Sequence, residues 1–382
     1  MSLFNSEATG RRALSRVTLT AARWPLRMSA QAEGRPLGVP TQVQCQPFVL
    51  SVLLSVALTL GLSVSSGPAQ ADDAPRPSAD GFPNRSLTLI VPSGPGGPLD
   101  ITARLIAPGL SRGLGQPVVV ENRPGASNKI AVQALLRAPR DGHTIAVVSP
   151  AAMTINPLID PNAGWDPLRD FTLLSYAVDT PAVVAVHPSV PAHTLAQFVT
   201  WANSTATPVS YGTGGTGTST HLSTFELLSK LGVKSTHVPY KGDPPAFADL
   251  LSGQIQVMVQ IVGIVKPYVD AGRLVALASS GTERAALMPD LPTYRETGIA
   301  ALAEASYNVW LGFVAANGIP ASVQVTLQDA INRALRQSDV LEAYRVKGFR
   351  VVGAPAAQFA TILRAEIERN RHTIEAGNIH VE

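Results

Sequence analysis

From Ser86 onward, short runs of β-branched and aliphatic residues alternate with longer stretches whose apolar residues recur every three or four positions. The first kind suits a strand buried on both faces and the second an amphipathic helix. Their regular alternation predicts an α/β fold of βαβ units, with mostly parallel sheets flanked by helices. Strands are predicted over 87–91, 118–120, 144–148 and 182–186, with a further segment at 171–176, and helices over 100–114 and 130–136. A second set follows: helices over 195–202, 222–231, 246–251 and 266–271, and strands over 209–211, 236–239, 255–260 and 274–278. Residues 291–305 read as a connection, 310–314 as a strand, and 322–336, 340–346 and 358–376 as helices. The order fits two lobes, 84–180 plus 302–382 and 181–301, joined by two crossings that permit closure about a ligand.

The first 71 residues have a different pattern. Residues 48–62 (FVLSVLLSVALTLGL) form an uncharged apolar run, shorter than the roughly 20 residues a spanning helix needs. Arg11, Arg12, Arg16, Arg23, Arg27 and Arg35 precede it, and Ala69-Gln70-Ala71 follows. That order predicts a cleaved secretory signal peptide over 1–71 and a periplasmic product, the alternative being a retained membrane anchor. Residues 72–83, polar and proline-rich, read as a flexible tether.

Removing the leader changes the charge picture. It holds six of the 30 basic and two of the 27 acidic residues, so 72–382 carries 24 against 25, with no basic excess to attract nucleic acid. The only cysteine, Cys45, also lies in the leader, which excludes thiol catalysis and cysteine metal sites from the remainder. No G-x-S-x-G, H-E-x-x-H or P-loop motif is present, and the seven histidines are scattered. Neither an enzyme, a metal nor a cofactor is expected.

Three glycine-rich turns each follow a strand and open a helix: 92–100 (PSGPGGPLD), 122–129 (NRPGASNK) and 212–221 (GTGGTGTSTH). Such turns let backbone approach a ligand, and a helix start presents unpaired N–H groups that suit an oxyanion. The third also spells G-x-G-x-x-G. The dinucleotide site needs an acid at the end of the next strand, where this chain reads Lys234-Ser235-Thr236-His237.

At these turns the chain resembles the substrate-binding proteins of tripartite tricarboxylate transporters, the TctC or Bug family. The similarity runs collinearly through LTLIVPSGPGGPLDITARLIAPGL, LGQPVVVENRPGA, APRDGHT, GWDPLRDFT, GTGTSTHL, HVPYKGDPPAFADLLSGQIQVM, AGRLVALA, MPDLPTYRETG and VWLGFVAANGIP. The resemblance implies a two-lobed periplasmic binding protein of Venus-flytrap type, acting as a monomer. It implies capture of a small carboxylate and delivery to a membrane complex of one large and one small subunit. An exported enzyme acting on a carboxylate and a carboxylate sensor are the alternatives. By position, the resemblance assigns the ligand to Ser93, Gly96, Gly97 and Asp100 in one lobe. In the other it names Gly215, Gly217, Thr218 and His221, with Tyr240 and Asp243 nearby; Ser149, at a strand end, is a further candidate.

The chain departs from the family pattern at Ser93, His143 and Gln256, and in the second turn, Ser127-Asn128-Lys129. If that turn faces the cleft, Ser127 and Asn128 meet the ligand, and Lys129 places a cation that favours a dicarboxylate. The leader generates a first testable outcome. Terminal sequencing of the exported protein is expected to begin at Asp72, and an intact chain held in the inner membrane would refute cleavage.

Overall fold

The computed structural model describes residues 81–125 and 128–380; the leader, most of the tether, Ala126, Ser127 and the last two residues lie outside the described residues. Among the described residues no helix is long and apolar enough to cross a membrane.

The chain begins with β1 (Leu87–Val91), α1 (Pro98–Leu114), β2 (Val118–Asn122), α2 (Lys129–Arg137) and β3 (Thr144–Val148). β1 lies parallel between β2 and β3, with Leu89 opposite Val120 on one side and Ile145 on the other. Both faces of β1 are covered, which is why its sequence is continuously apolar: Leu87 and Leu89 face one helical layer and Ile90 the other. α1 starts on Pro98, whose missing N–H would have had no partner in the first turn. It stops at Gly115, where φ is 70° and the N–H returns to the Ser111 carbonyl. A π turn, Ala151–Ile155, and the single turn α3 (Asn156–Ile159) then lead into β4 (Phe171–Val186).

The second group comprises α4 (Leu195–Ser204), β5 (Val209–Thr213), α5 (Ser219–Lys230), β6 (Ser235–Pro239), α6 (Asp243–Ser252), β7 (Val257–Ile261), α7 (Val262–Asp270) and β8 (Val275–Ser279). α4 opens on a capping box in which Thr194 and Gln197 each accept the other's backbone N–H. β5 is parallel to β6 on one side and β7 on the other. The chain returns through β9 (Asn308–Ala316), α8 (Ala321–Leu335), α9 (Ser338–Arg345), β10 (Arg350–Pro355) and α10 (Ala356–Gly377).

These elements build two lobes, each a sheet between helical layers. The first sheet has Ile106, Leu110, Leu327 and Ile331 on one face and Val132, Leu135, Phe359 and Leu363 on the other. The second has Phe198 and Leu228 on one face and Ala246, Leu250 and Val265 on the other. The parallel triplets β2-β1-β3 and β6-β5-β7 carry the predicted pattern. The strands between them are antiparallel, because they belong to the crossings instead of to βαβ units.

β4 departs most from expectation. The sequence suggests two pieces, 171–176 and 182–186, separated by polar residues. The structure has one sixteen-residue strand. From Phe171 to Pro181 it pairs with β9, and from Ala182 to Val186 with β7. β10, which the sequence reading omits, pairs with β4 from Arg350 opposite Asp179. The polar interruption is a neutralised charge. Asp179, 4% exposed, accepts from Arg350 Nε at 3.0 Å and Nη2 at 2.8 Å, from Asn308 Nδ2 at 3.2 Å and from the Tyr176 hydroxyl at 3.4 Å.

Removing the cation leaves a buried carboxylate with only neutral donors. Arg350→Ala is expected to destabilise the protein by about 2–3 kcal/mol, below the full cost of a buried pair because Arg350 is itself more than half exposed. Equilibrium denaturation checks this against Val325→Ala on the exposed face of α8, expected to stay within about 0.5 kcal/mol of the unaltered chain. Equal stability of Arg350→Ala and the unaltered chain would show that Asp179 does not depend on its partner.

Candidate functional site

The carboxyl ends of β1, β3, β5, β6 and β7 turn into helical segments around one cavity of about 720 Å³. Crevices at strand carboxyl ends are where open α/β sheets bind ligands. The first lobe contributes residues 97–99 at the start of α1 and 149–151 after β3. The second contributes Gly214, residues 218–220 at the start of α5, residues 242–244 at the start of α6, and Gln260 and Ile261 at the end of β7. Val309, Leu311 and Phe349 line it as well. Among the described residues, no lysine, arginine or histidine lines the cavity, and Asp243 is the one charged residue on its wall.

Of the residues named from sequence, Gly97, Ser149, Thr218 and Asp243 lie on this wall. Ser93, Gly96, Asp100, Gly215, Gly217, His221 and Tyr240 are not lining residues; they shape the loops. Asp100 is 3% exposed and accepts from the Gly96 N–H at 2.9 Å, from Arg104 Nε at 2.9 and 3.0 Å, and from Asn122 Nδ2 at 2.8 Å. The Arg104 guanidinium, helped by the Gly96 and Asn122 donors, outweighs burial and holds the Asp100 carboxyl at about 2. Asp100 is thus a permanent anion that closes the first loop on itself, where Gly96 adopts φ 87°. Asn122 Nδ2 also donates to the Ser93 carbonyl at 3.0 Å. The Ser93 hydroxyl is buried without a partner.

The second-lobe loop is braced by neutral histidines. His221 Nδ1 accepts from the Gly217 N–H at 3.1 Å, and its ring stacks 3.8 Å from that of His237. Thr213 Oγ1 lies 2.7 Å from His237 Nε2. Burial, with the neighbouring His237, pushes His221 down to about 4, and burial lowers His237 as well. Thr218 caps α5: its Oγ1 accepts from the His221 N–H at 3.3 Å and donates to the Gly215 carbonyl at 2.7 Å. Gly217 needs to be glycine twice over, because φ is 74° and a Cβ would collide with the Ile159 side chain of the facing lobe. The Tyr240 hydroxyl donates to Asp249 Oδ2 at 2.6 Å, and Asp243 Oδ1 accepts from Thr220 Oγ1 at 3.0 Å.

The described residues of the second turn do not line the cavity. Asn128, at φ 76°, turns the chain into α2, and Ser127 lies outside the described residues. The Lys129 ammonium donates to the Asn162 carbonyl and sits 3.5 Å from the Asp160 carboxylate, within its own lobe. It does not line the cavity, so the expected cation for a second ligand carboxylate is absent from the wall. Its charge is already neutralised by the 160–162 loop.

Gln260 was missed. It is 4% exposed; its Oε1 accepts from the Ile261 N–H at 2.8 Å, and its Nε2 is buried with no partner. The signal was a lone amide in the apolar run VMVQI, read as part of the strand alone.

A family model described as "Tripartite tricarboxylate transporter family receptor" (TctC) matches residues 102–379. A UPF0065 protein in the tcbD-tcbE intergenic region of Pseudomonas sp. (strain P51) is 32% identical over 312 residues, covering 82% of this chain and 90% of that one. Among solved structures, R. palustris Rpa4515 with adipate has a TM-score of 0.69 and 30% identity, covering 78% of this chain and 99% of its own. MatC from Rhodopseudomonas palustris with bound malate has a TM-score of 0.66 and 29% identity, covering 77% and 100%. The family match over most of the sequence, the agreement in fold and the two-lobed cleft together place this chain in the TctC family of tripartite tricarboxylate transporter receptors.

Proposed function

We propose that this chain is an exported solute receptor that captures a small carboxylate between its lobes and delivers it to the large and small membrane subunits of a tripartite tricarboxylate transporter. The observation that carries the reading is the convergence of two helix starts from opposite lobes, α1 and α5, with Gln260, whose Nε2 has no partner, on one cavity. First-turn N–H groups have no intrahelical acceptor, and the helix dipole favours an anion there. An oxyanion satisfies donors from both lobes at once, so binding draws them together. The bound adipate and malate of the two solved relatives support the carboxylate assignment.

The proposed lobes are 84–180 plus 302–382 and 181–301, closing about β4 where it passes from β9 to β7. A receptor fits better than an enzyme because His221, the imidazole nearest the loops, has Nδ1 engaged by Gly217 and is held neutral. Gly215, Gly217, His221, Gly96 and Asp100 act in this reading by positioning, while Gly97, Ser149, Thr218 and Gln260 face the ligand.

Two outcomes follow. A bound carboxylate at 100 times its Kd is expected to stabilise the protein by about 2.7 kcal/mol, raising Tm by roughly 4–8 °C, and to reduce the radius of gyration. Calorimetry on a carboxylate panel with the matching amides, followed by small-angle scattering at saturation, checks this. Binding of amides and acids alike, or an unchanged radius, would defeat the proposal. The second concerns pH. His221 protonates near 6.5 when unfolded but only near 4 in the folded protein, so the unfolded state takes up the proton first. Stability is therefore full above about pH 6.5 and falls as pH drops towards 4, by about 3 kcal/mol. In His221→Asn, whose amide oxygen retains an acceptor for Gly217, that slope is expected to flatten. An unchanged slope would assign the pH dependence to other groups.

A further inference from the structure

We infer that the ligand is a monocarboxylate with an apolar, ring-sized body, and that the Gln260 amide is the side-chain donor that selects its single anionic end. The inference rests on the receptor reading above and narrows it. Three features of the cavity carry it.

The first is the state of Gln260. Ile261 N–H donates to its Oε1, which fixes the orientation of the amide and leaves both Nε2 protons on a buried atom without an acceptor. A buried donor of this kind is costly unless a ligand supplies an acceptor. The two helix starts lie on the same cavity, so one carboxylate there has donors from α1, α5 and Gln260.

The second is the remaining wall. Away from those donors it is built by Phe247, Leu251, Ile264, Tyr268, Leu311 and Phe349. These residues suit a body of apolar or aromatic character.

The third is charge. Among the described residues of the wall a second carboxylate would meet no lysine, arginine or histidine, and Lys129 is engaged by Asn162 and Asp160. It would instead approach Asp243, the one charged residue among the described lining residues. α6 offers little relief: Pro244 and Pro245 remove two N–H groups from its first turn. Desolvating a second anion in such surroundings opposes binding.

Calorimetry with the full mature chain tests this. The ligands are 4-isopropylbenzoate, its near-isostere benzene-1,4-dicarboxylate, 4-isopropylbenzamide, malate and adipate. The monocarboxylate is expected to bind at least tenfold tighter than the dicarboxylates and the amide. Gln260→Met, an apolar replacement of similar shape, is expected to weaken the monocarboxylate ten- to a hundredfold with no loss of thermal stability. Gln260→Glu is expected to weaken it further through repulsion. Malate or adipate binding as tightly as 4-isopropylbenzoate would overturn the inference and leave the receptor reading standing. Failure of every carboxylate would overturn both. If Gln260→Met loses stability but keeps its affinity, Gln260 is a structural residue and its assignment falls.

Discussion

The arrangement depends on β4 carrying one continuous ladder from one sheet into the other. Its first part bonds β9 and β10, and its last five residues bond β7 and β8. A strand of sixteen residues reaches about 50 Å, enough to belong to two sheets. The constraint at the crossing is electrostatic. Asp179 lies buried in the middle of the strand, and the bidentate Arg350 on β10 makes that position tolerable. β10 is therefore more than an added edge strand: it brings the cation that lets the crossing strand hold a charge.

From that crossing follows the placement of the cavity. Five strands point their carboxyl ends at it from two sheets, and the loops after β1 and β5 each carry an internal brace. The braces differ in kind. In the first lobe an ionised carboxylate, Asp100, gathers the loop's donors; in the second a neutral imidazole, His221, accepts the Gly217 N–H. Both devices occupy polar atoms behind the wall and leave the helix starts on its surface. In the proposed receptor reading, the donors to an oxyanion are backbone and amide N–H groups, which hold an anion without a mobile cation. On that proposal binding and closure are one event, since the donors belong to both lobes.

Much of this was legible in the sequence. LTLIV and TIAVV read as doubly covered parallel strands because no polar residue interrupts them, and the glycine turns marked where strands give way to helix starts. β10 was not legible: RVVGAP is short, carries a glycine and a proline, and becomes a strand through pairing with β4. Asp179-Thr180-Pro181 looked like a break because a local reading cannot see Arg350, 171 residues away. Lys129 looked available because its partners, Asp160 and Asn162, lie on a loop reached only after α2 and β3.

By itself the sequence determined the α/β class, the order of most elements, the family and the positions of the turns. Those depend on periodicity, glycine placement and local helix geometry, all of which are written within a few residues. Only the tertiary structure decided which residues of the first and third turns line the cavity, that Asp100 and His221 stand behind it, and that Gln260 lines it while its Nε2 has no partner. Those outcomes depend on which distant groups satisfy each polar atom, and a buried donor or cation is defined by partners that the chain order does not bring side by side.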